Sequence, residues 1–162
     1  MHGEWFITGD LGWLTADDVL VITGRMKEII VLSNGENIEA EGLEDVCLEI
    51  PYIEQIMITG QDKPYLTALV YLNQDEFRSA LPKKSDEDPN NLEDFKSLLL
   101  NEINKKIKSR RNFRSFERIN DITFLKEGFT IENGMMTQSL KIKKNVVAER
   151  YKAEIKAMYL KK

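Results

Sequence analysis

The sequence has very little of the two residue types that most often carry nucleophilic or metal chemistry. It contains one cysteine, Cys47, and one histidine, His2, in 162 residues. A disulfide framework, a Cys/His zinc site, a Cys–His dyad and a Ser–His–Asp triad each need more of these residues, so all four are excluded within the chain. Any chemistry that the chain performs must use Lys, Arg, Asp, Glu, hydroxyl groups or the backbone.

Long apolar runs and an excess of positive charge are also lacking. The longest unbroken apolar run is Ala68–Leu72, whereas a membrane-spanning helix needs about 20 apolar residues. The first residues do not form the apolar core of a signal peptide. Lys and Arg number 23 against 27 Asp and Glu, a net charge of −4, and nucleic-acid-binding domains are normally basic. We expect a cytoplasmic protein that binds no nucleic acid.

The length is that of one core-bearing domain, and its first part is predicted to be β-rich. Short apolar groups separated by turn-forming residues indicate a β-meander with strands near 5–8, 12–14 and 19–23. The β-branched run Lys27–Leu32 is followed by Ser33-Asn34-Gly35, a strong turn signal. A hairpin returning through Glu36–Ile38 is therefore expected.

Helical periodicity begins after this hairpin. Leu43, Val46, Cys47 and Ile50 recur on one helical face until Pro51 ends the pattern. This helix would direct its acidic residues outward, namely Glu39, Glu41, Glu44 and Asp45. On the same face Cys47 would be an inert buried thiol.

The remaining pattern mixes strands and helices. We predict strands at 53–59, 65–72 and 119–125, a short helix at 74–81 capped by Asn73, a loop at 82–91, a long helix at 91–111, and a closing helix capped by Asn145. Residues 135–144 fit no single pattern. The fold class is therefore α+β: a small, mainly antiparallel sheet flanked by helices and preceded by a short β-meander. Trp5 and Trp13 are expected to be packing residues.

Three segments contain residues suited to nucleotide chemistry: Trp5–Asp10, Gly24–Ile38 and Thr137–Lys143. Asp10, in a glycine turn, can accept two hydrogen bonds from a vicinal diol such as a ribose. Arg25 can donate to the same sugar or its phosphate, and Lys141 can place a positive charge beside developing negative charge. Taken singly, the three segments are more typical of an ordinary hairpin turn, a solvated surface and a basic strand edge, respectively.

In their order along the chain, the three segments resemble the adenylate-forming superfamily of acyl-CoA synthetases, peptide-synthetase adenylation domains and luciferases. The resemblance covers the C-terminal part of such an enzyme. It implies that Thr8 and Asp10 hold the adenosine ribose, that Arg25 contacts the nucleotide, that Lys27 is the hinge of a mobile domain, and that Lys141 is the catalytic lysine of adenylate formation.

Two motifs resemble the long-chain fatty-acid branch of this superfamily. The loop Gly35-Glu36-Asn37-Ile38 is similar to the loop that faces the active site during thioester formation, and Asn133–Lys143 resembles the branch's final motif. Other branches usually place glycine before the catalytic lysine, where this chain has Leu140. The resemblance implies a long-chain fatty-acid–CoA ligase that forms an acyl-adenylate and then transfers the acyl group to CoA.

The same resemblance predicts the domain organisation. Residues 1–26 would be the tail end of a large AMP-binding domain, and residues 27–162 the mobile C-terminal domain. The expected partners are that missing N-terminal domain, a fatty acid and CoA. ATP or AMP, Mg²⁺ and CoA would serve the full-length enzyme, with none bound to this fragment and no metal ligand in it. The fragment alone would be inactive.

Three alternatives remain at this point. The chain could be a non-catalytic protein-interaction or regulatory module that reuses this domain. An RNA-binding α+β domain is disfavoured by the net charge and by the lack of an aromatic pair on a readable strand face. The basic residues between Lys105 and Arg114 fit either a solvated helix end or a contact with CoA phosphates or a peripheral, anionic membrane surface.

Overall fold

The computed structural model of the chain describes residues 8–25, 28–80 and 89–160. These residues contain seven strands, five α-helices and one 3₁₀-helix. The strands are Asp10–Leu14 (β1), Leu20–Arg25 (β2), Ile29–Val31 (β3), Asn37–Glu39 (β4), Ile53–Thr59 (β5), Leu66–Leu72 (β6) and Ile119–Phe124 (β7). The helices are Ala40–Cys47 (α1), Gln74–Ala80 (α2), Pro89–Lys108 (α3), Lys144–Arg150 (α4) and Lys152–Leu160 (α5), with the 3₁₀-helix at Ser115–Glu117.

The strands form three small sheets, and the predicted α+β class is confirmed. β1 pairs with β2, β3 pairs with β4, and β5, β6 and β7 form one sheet in that order. Every pairing is antiparallel except that of β6 with β7. A parallel pair needs a long crossover, and α2 and α3 supply it.

The three-stranded sheet is covered on both faces. On one face, α1 and α3 pack over alternate residues of β6, namely Leu66, Ala68, Val70 and Leu72. On the other face, Leu69 packs with residues of the C-terminal segments, including Phe129, Met135, Val147 and Met158. Burial of β6 from both sides explains why its sequence is an apolar run rather than an alternating one.

Two register shifts keep the apolar residues of the edge strands on the α1–α3 face. Ile53 and Ile56 are three residues apart, so regular alternation would place them on opposite faces. The pairing of β5 with β6 shifts between Ile53 and Gln55, and both isoleucines therefore join the same core cluster. A shift in the pairing of β6 with β7 does the same for Ile119 and Ile122.

Several predicted element boundaries were wrong. The closing helix is two helices: its N-cap is Lys143 rather than Asn145, and it is interrupted at Tyr151, where φ is −103° and ψ is 26°. The interruption lets Val147 and Met158 pack into one core cluster. The long helix begins at Pro89, inside the predicted 82–91 loop, and ends at Lys108. Proline suits the first turn of a helix because its missing N–H has no partner there.

Among the remaining predictions, the helix cap is correct, the packing of Trp13 is wrong, and two others fall on residues that the structure does not describe. The Asn73 cap is confirmed, because its side-chain oxygen accepts the N–H groups of Asp75 and Glu76 at 3.2 and 3.3 Å. Residues 5–7 of the first predicted strand, with Trp5, and residues 82–88 of the predicted loop lie outside the described residues. Trp13 is 57% exposed, so it is not packed within the described part of the chain.

Candidate functional site

The predicted nucleotide-binding residues lie at the open end of the β1–β2 hairpin. Asp10 and Arg25 are direct cross-strand partners in this hairpin. Thr8 adjoins them, and its hydroxyl oxygen accepts the N–H of Asp10 at 3.2 Å. Gly9, which lies between Thr8 and Asp10, has φ of +77°, a conformation that favours glycine. The fold thus brings together two residues that are separated by most of the hairpin in sequence.

The predicted hinge residue, Lys27, lies outside the described residues, so its role stays a prediction. The neighbouring residue Glu28 is described, and it lines the same cavity as Lys141.

The loop Gly35–Asn37, which we call the Gly35 loop, closes the β3–β4 hairpin. Gly35 has φ of +86°, and its N–H donates to the Leu32 carbonyl at 2.9 Å. The side-chain oxygen of Asn34 accepts the Glu36 N–H at 3.1 Å. Gly35 and Asn37 are exposed. The predicted thioester-face loop is therefore a tight turn that presents backbone to the surroundings.

Lys141 lies on a second tight turn, formed by part of the stretch that no sequence pattern assigned. Met136 and Ile142 form an isolated antiparallel bridge at its base. Thr137 closes the turn: its N–H donates to the Lys141 carbonyl at 2.8 Å, and its hydroxyl oxygen accepts the Lys141 N–H at 3.1 Å. The backbone of Lys141 is thus held at two points while its side chain is exposed.

Leu140, immediately before this lysine, has a left-handed backbone. Its φ is +59°, and its side chain is 68% exposed. A left-handed conformation costs about 1–2 kcal/mol for a residue other than glycine. The position at which related branches carry glycine is therefore one where the backbone itself favours glycine.

Replacing Leu140 by glycine is expected to raise the free energy of unfolding by up to about 1 kcal/mol. The relieved strain of about 1–2 kcal/mol is partly offset by the greater backbone entropy that glycine loses on folding. Urea unfolding of the chain measures the change. Leu140→Ala is the control because it removes the side chain but keeps the strain; an equal gain from both variants would contradict the backbone explanation.

A buried ion pair joins the Lys141 turn to the helix that follows the Gly35 loop. Lys144, three residues after Lys141, donates to both carboxylate oxygens of Glu44 at 3.0 and 2.8 Å. Glu44 also accepts the backbone N–H of Ile58 on β5 at 2.8 Å. The residue is 8% exposed, so one carboxylate connects α1, β5 and the start of α4.

The outward direction predicted for Glu44 was therefore wrong. A buried carboxylate needs hydrogen-bonding partners or a counter-charge, and Ile58 and Lys144 supply both. The helix face that is buried consists of Ala40, Leu43, Glu44 and Cys47. The spacing of residues 40, 43, 44 and 47 could have predicted the burial of Glu44, because it places this carboxylate on the same helical face as three apolar residues. Cys47 is buried as predicted, and burial raises the pKa of its thiol to about 12.

Lys141 and the Glu44–Lys144 pair line a common cavity of about 220 Å³. Glu28 and Glu41 line it as well. A hydrogen bond with Glu28 raises the pKa of Glu41, as do repulsion between the two carboxyl groups and burial, whereas Lys141 and Lys144 lower it. Lys141 therefore shares its cavity with the carboxyl groups of Glu28, Glu41 and Glu44.

In the three described ranges, no group of His, Cys, Asp or Glu side chains has the arrangement of a metal site. No described helix is both long enough and apolar enough to cross a membrane.

The fold is similar to that of solved structures of adenylate-forming enzymes. The adenylation domain of a carboxylic acid reductase from Segniliparus rugosus, in complex with AMP and a co-purified carboxylic acid, is 27% identical, with a TM-score of 0.77 over 94% of this chain and 23% of that one. The overall fold of the chain is therefore similar to that of part of an adenylation domain.

The chain belongs to the family of AMP-binding enzyme C-terminal domains, which it matches over residues 27–162. It is 35% identical to the long-chain-fatty-acid–CoA ligase FadD15 of Mycobacterium tuberculosis over 97% of this chain and 27% of that protein. It is 34% identical to the chloroplastic long-chain-fatty-acid–[acyl-carrier-protein] ligase AEE15 of Arabidopsis thaliana over 96% of this chain and 21% of that protein.

These matches confirm the resemblance seen in the motifs. The chain spans only about a fifth to a quarter of the length of these relatives. The activity of the whole protein therefore does not follow from the family alone.

Proposed function

We propose that the chain is the C-terminal part of a long-chain fatty-acid–CoA ligase. The full-length protein would use ATP to convert a fatty acid into an acyl-adenylate and would then transfer the acyl group to CoA. The observation that carries this proposal is the pair of braced turns: one holds the exposed Lys141 and the other is the Gly35 loop. One mobile domain could present either turn to an active site.

In the first half-reaction, a fatty-acid carboxylate oxygen attacks the α-phosphorus of ATP, and the bond to the β-phosphate oxygen breaks. Pyrophosphate leaves with that electron pair. Negative charge develops between the acyl and phosphate oxygens, where the ammonium group of Lys141 would stabilise it. Preorganisation favours this role, because the two hydrogen bonds between Lys141 and Thr137 fix its backbone before substrate arrives.

In the second half-reaction, the CoA thiolate attacks the acyl carbonyl carbon and AMP leaves. We propose that the domain first rotates about Lys27, withdrawing Lys141 and bringing in the Gly35 loop with Glu36 and Asn37. A hinge motion of this kind exchanges catalytic groups without unfolding the domain. Residues 1–26 would then remain with the large domain, and residues 27–162 would move.

The β1–β2 hairpin would bind the nucleotide in both half-reactions. Asp10 would accept hydrogen bonds from the ribose hydroxyls, with Thr8 supporting its turn and Arg25 contacting the nucleotide. Their cross-strand placement supports a shared ligand. Mg²⁺ would neutralise phosphate charge in the full-length enzyme. The described residues contain no suitable cluster for it, so we assign it no ligand here and derive no step from it.

A carrier-protein thiol is the alternative acceptor, since one relative is by name an acyl-carrier-protein ligase. A non-catalytic interaction module is the alternative class. The cytoplasmic location and a peripheral contact with an anionic membrane remain predictions.

ATP–pyrophosphate exchange by the full-length protein, measured over fatty acids from acetate to stearate, tests the proposal. We expect exchange to be fastest with long-chain acids, and we expect acyl-CoA to accumulate when CoA is added. The 162-residue chain alone is the control and should show neither activity. Exchange confined to short acids would overturn the long-chain assignment, and no exchange with any acid would favour the non-catalytic module.

A further inference from the structure

The basic residues between Lys105 and Arg114 are partly engaged with the chain itself. Lys106 donates to Glu49 at 2.8 Å. Arg110 and Arg114 both approach the carboxylate of Glu117, with nitrogen–oxygen distances of 3.7 and 3.4 Å. The stretch is therefore more than a solvated helix end.

Glu117 is the centre of this arrangement and is only 4% exposed. It accepts the backbone N–H of Arg114 at 3.0 Å as well as a guanidinium N–H of the same residue. The Arg114 guanidinium also lies 4.8 Å from the centre of the Phe116 ring, within the range of a cation–π contact. These contacts restrict Arg114 to one direction.

That direction leads to the Gly35 loop. Nη2 of Arg114 donates to the backbone carbonyl of Asn37 at 3.2 Å. Asn37 pairs with Val31 at the loop end of the hairpin. The Val31 N–H donates to the side chain of Gln61 at 3.0 Å and not to Asn37. Val31 and Asn37 therefore form a pair of the type whose backbone groups point away from the partner strand. Arg114 thus occupies the outer edge of β4.

The opposite edge of the hairpin is held by the turn between β5 and β6. Besides the Gln61 contact, the Asp62 N–H donates to the Val31 carbonyl at 2.9 Å, and the Ser33 N–H donates to the Lys63 carbonyl at 2.9 Å. A two-stranded hairpin of three-residue strands is marginal without such support. The Gly35 loop is therefore fixed from both sides, and Arg114 provides the support on the β4 side.

We propose that Arg114, oriented by Glu117, is a positioning residue for the Gly35 loop in the thioester-forming half-reaction. This inference rests on the function proposed above. It assigns Arg114 to the second half-reaction alone, because its contact is with the Gly35 loop and not with the Lys141 turn.

The test compares Arg114→Ala with Arg111→Ala in the full-length protein. Arg111 is an exposed neighbour, so its replacement removes the same charge from the same surface. Thioester formation from supplied acyl-adenylate should fall about tenfold in Arg114→Ala, the loss expected for one charge-assisted hydrogen bond. ATP–pyrophosphate exchange should stay within about twofold of wild type, which also shows that the variant is folded. Arg111→Ala should leave both rates unchanged, and Arg114→Lys, which keeps a donor, should recover part of the loss.

Pantetheine, a thiol acceptor without the nucleotide phosphates of CoA, separates positioning from phosphate binding. If Arg114 positions the loop, the loss will be the same with CoA and with pantetheine. A loss seen only with CoA would overturn the inference in favour of direct phosphate contact. Equal losses in both half-reactions, or equal behaviour of the two alanine variants, would also overturn it while leaving the proposed function intact. Absence of both activities in the wild type would instead overturn the proposed function.

Hydrogen exchange provides a readout that does not depend on activity. The Leu32 N–H is bonded to the Glu36 carbonyl, and the Gly35 N–H to the Leu32 carbonyl. Both amides should exchange faster in Arg114→Ala than in Arg111→Ala. Unchanged exchange at both would show that Arg114 does not hold the loop.

Discussion

Replacement of Lys141 by alanine in the full-length protein is expected to lower ATP–pyrophosphate exchange by a factor of about 10²–10³. The ammonium group would act on charge that develops as the carboxylate oxygen attacks the α-phosphorus. A preorganised charge contributes most at that point, and the turn has already fixed the backbone of Lys141. Thioester formation from supplied acyl-adenylate should be spared, since the proposed rotation withdraws Lys141 before CoA reacts.

Lys143→Ala is the matched control for this experiment. Lys143 is exposed on the same segment, and its loss changes the net charge equally. We expect it to leave exchange within about threefold of wild type, as for a screened surface charge. If Lys141→Ala reduced both half-reactions equally, the assignment of Lys141 to adenylate formation would be wrong.

Replacement of Glu44 by alanine is expected to lower the free energy of unfolding of the chain by about 2–4 kcal/mol. The change leaves the N–H of Ile58 without its acceptor and the ammonium group of Lys144 without its partner. A fully buried pair would lose about 3–5 kcal/mol. The lower range is appropriate here because the Lys144 side chain is 31% exposed.

Urea unfolding measures this loss, and Asp45→Ala is the control. Asp45 is the exposed neighbour on the same helix, and surface changes of this kind are usually within about 0.5 kcal/mol. Glu44→Gln should fall between the two variants, because its side-chain oxygen can still accept the Ile58 N–H. A loss from Glu44→Ala no larger than that from Asp45→Ala would contradict the structural role of the pair.

Much of the fold was predictable from local sequence patterns. The turn at Ser33–Gly35, the cap at Asn73 and the buried strand at 66–72 each follow from residue chemistry over a few positions. The Gly35 loop and the Lys141 turn were also indicated individually, because the motifs that contain them resemble those of the family.

Features that depend on distant contacts were not predictable in this way. Glu44 and Lys144 are 100 positions apart, and no local pattern connects them. The closing helix is interrupted at Tyr151 because Val147 and Met158 pack into one core cluster, and the local sequence does not show this packing. Leu140 adopts a left-handed backbone conformation that its own side chain disfavours, so the conformational propensity of leucine predicts a different backbone at that residue.

The Glu44–Lys144 pair has a consequence for the order of the proposed reactions. It joins the helix that follows the Gly35 loop to the segment that bears Lys141, so we expect the two turns to move together. Movement of either turn into an active site would then displace the other by the same rotation. Under the proposed function, the withdrawal of one turn and the arrival of the other would then be parts of a single rotation, and their order would need no separate timing signal.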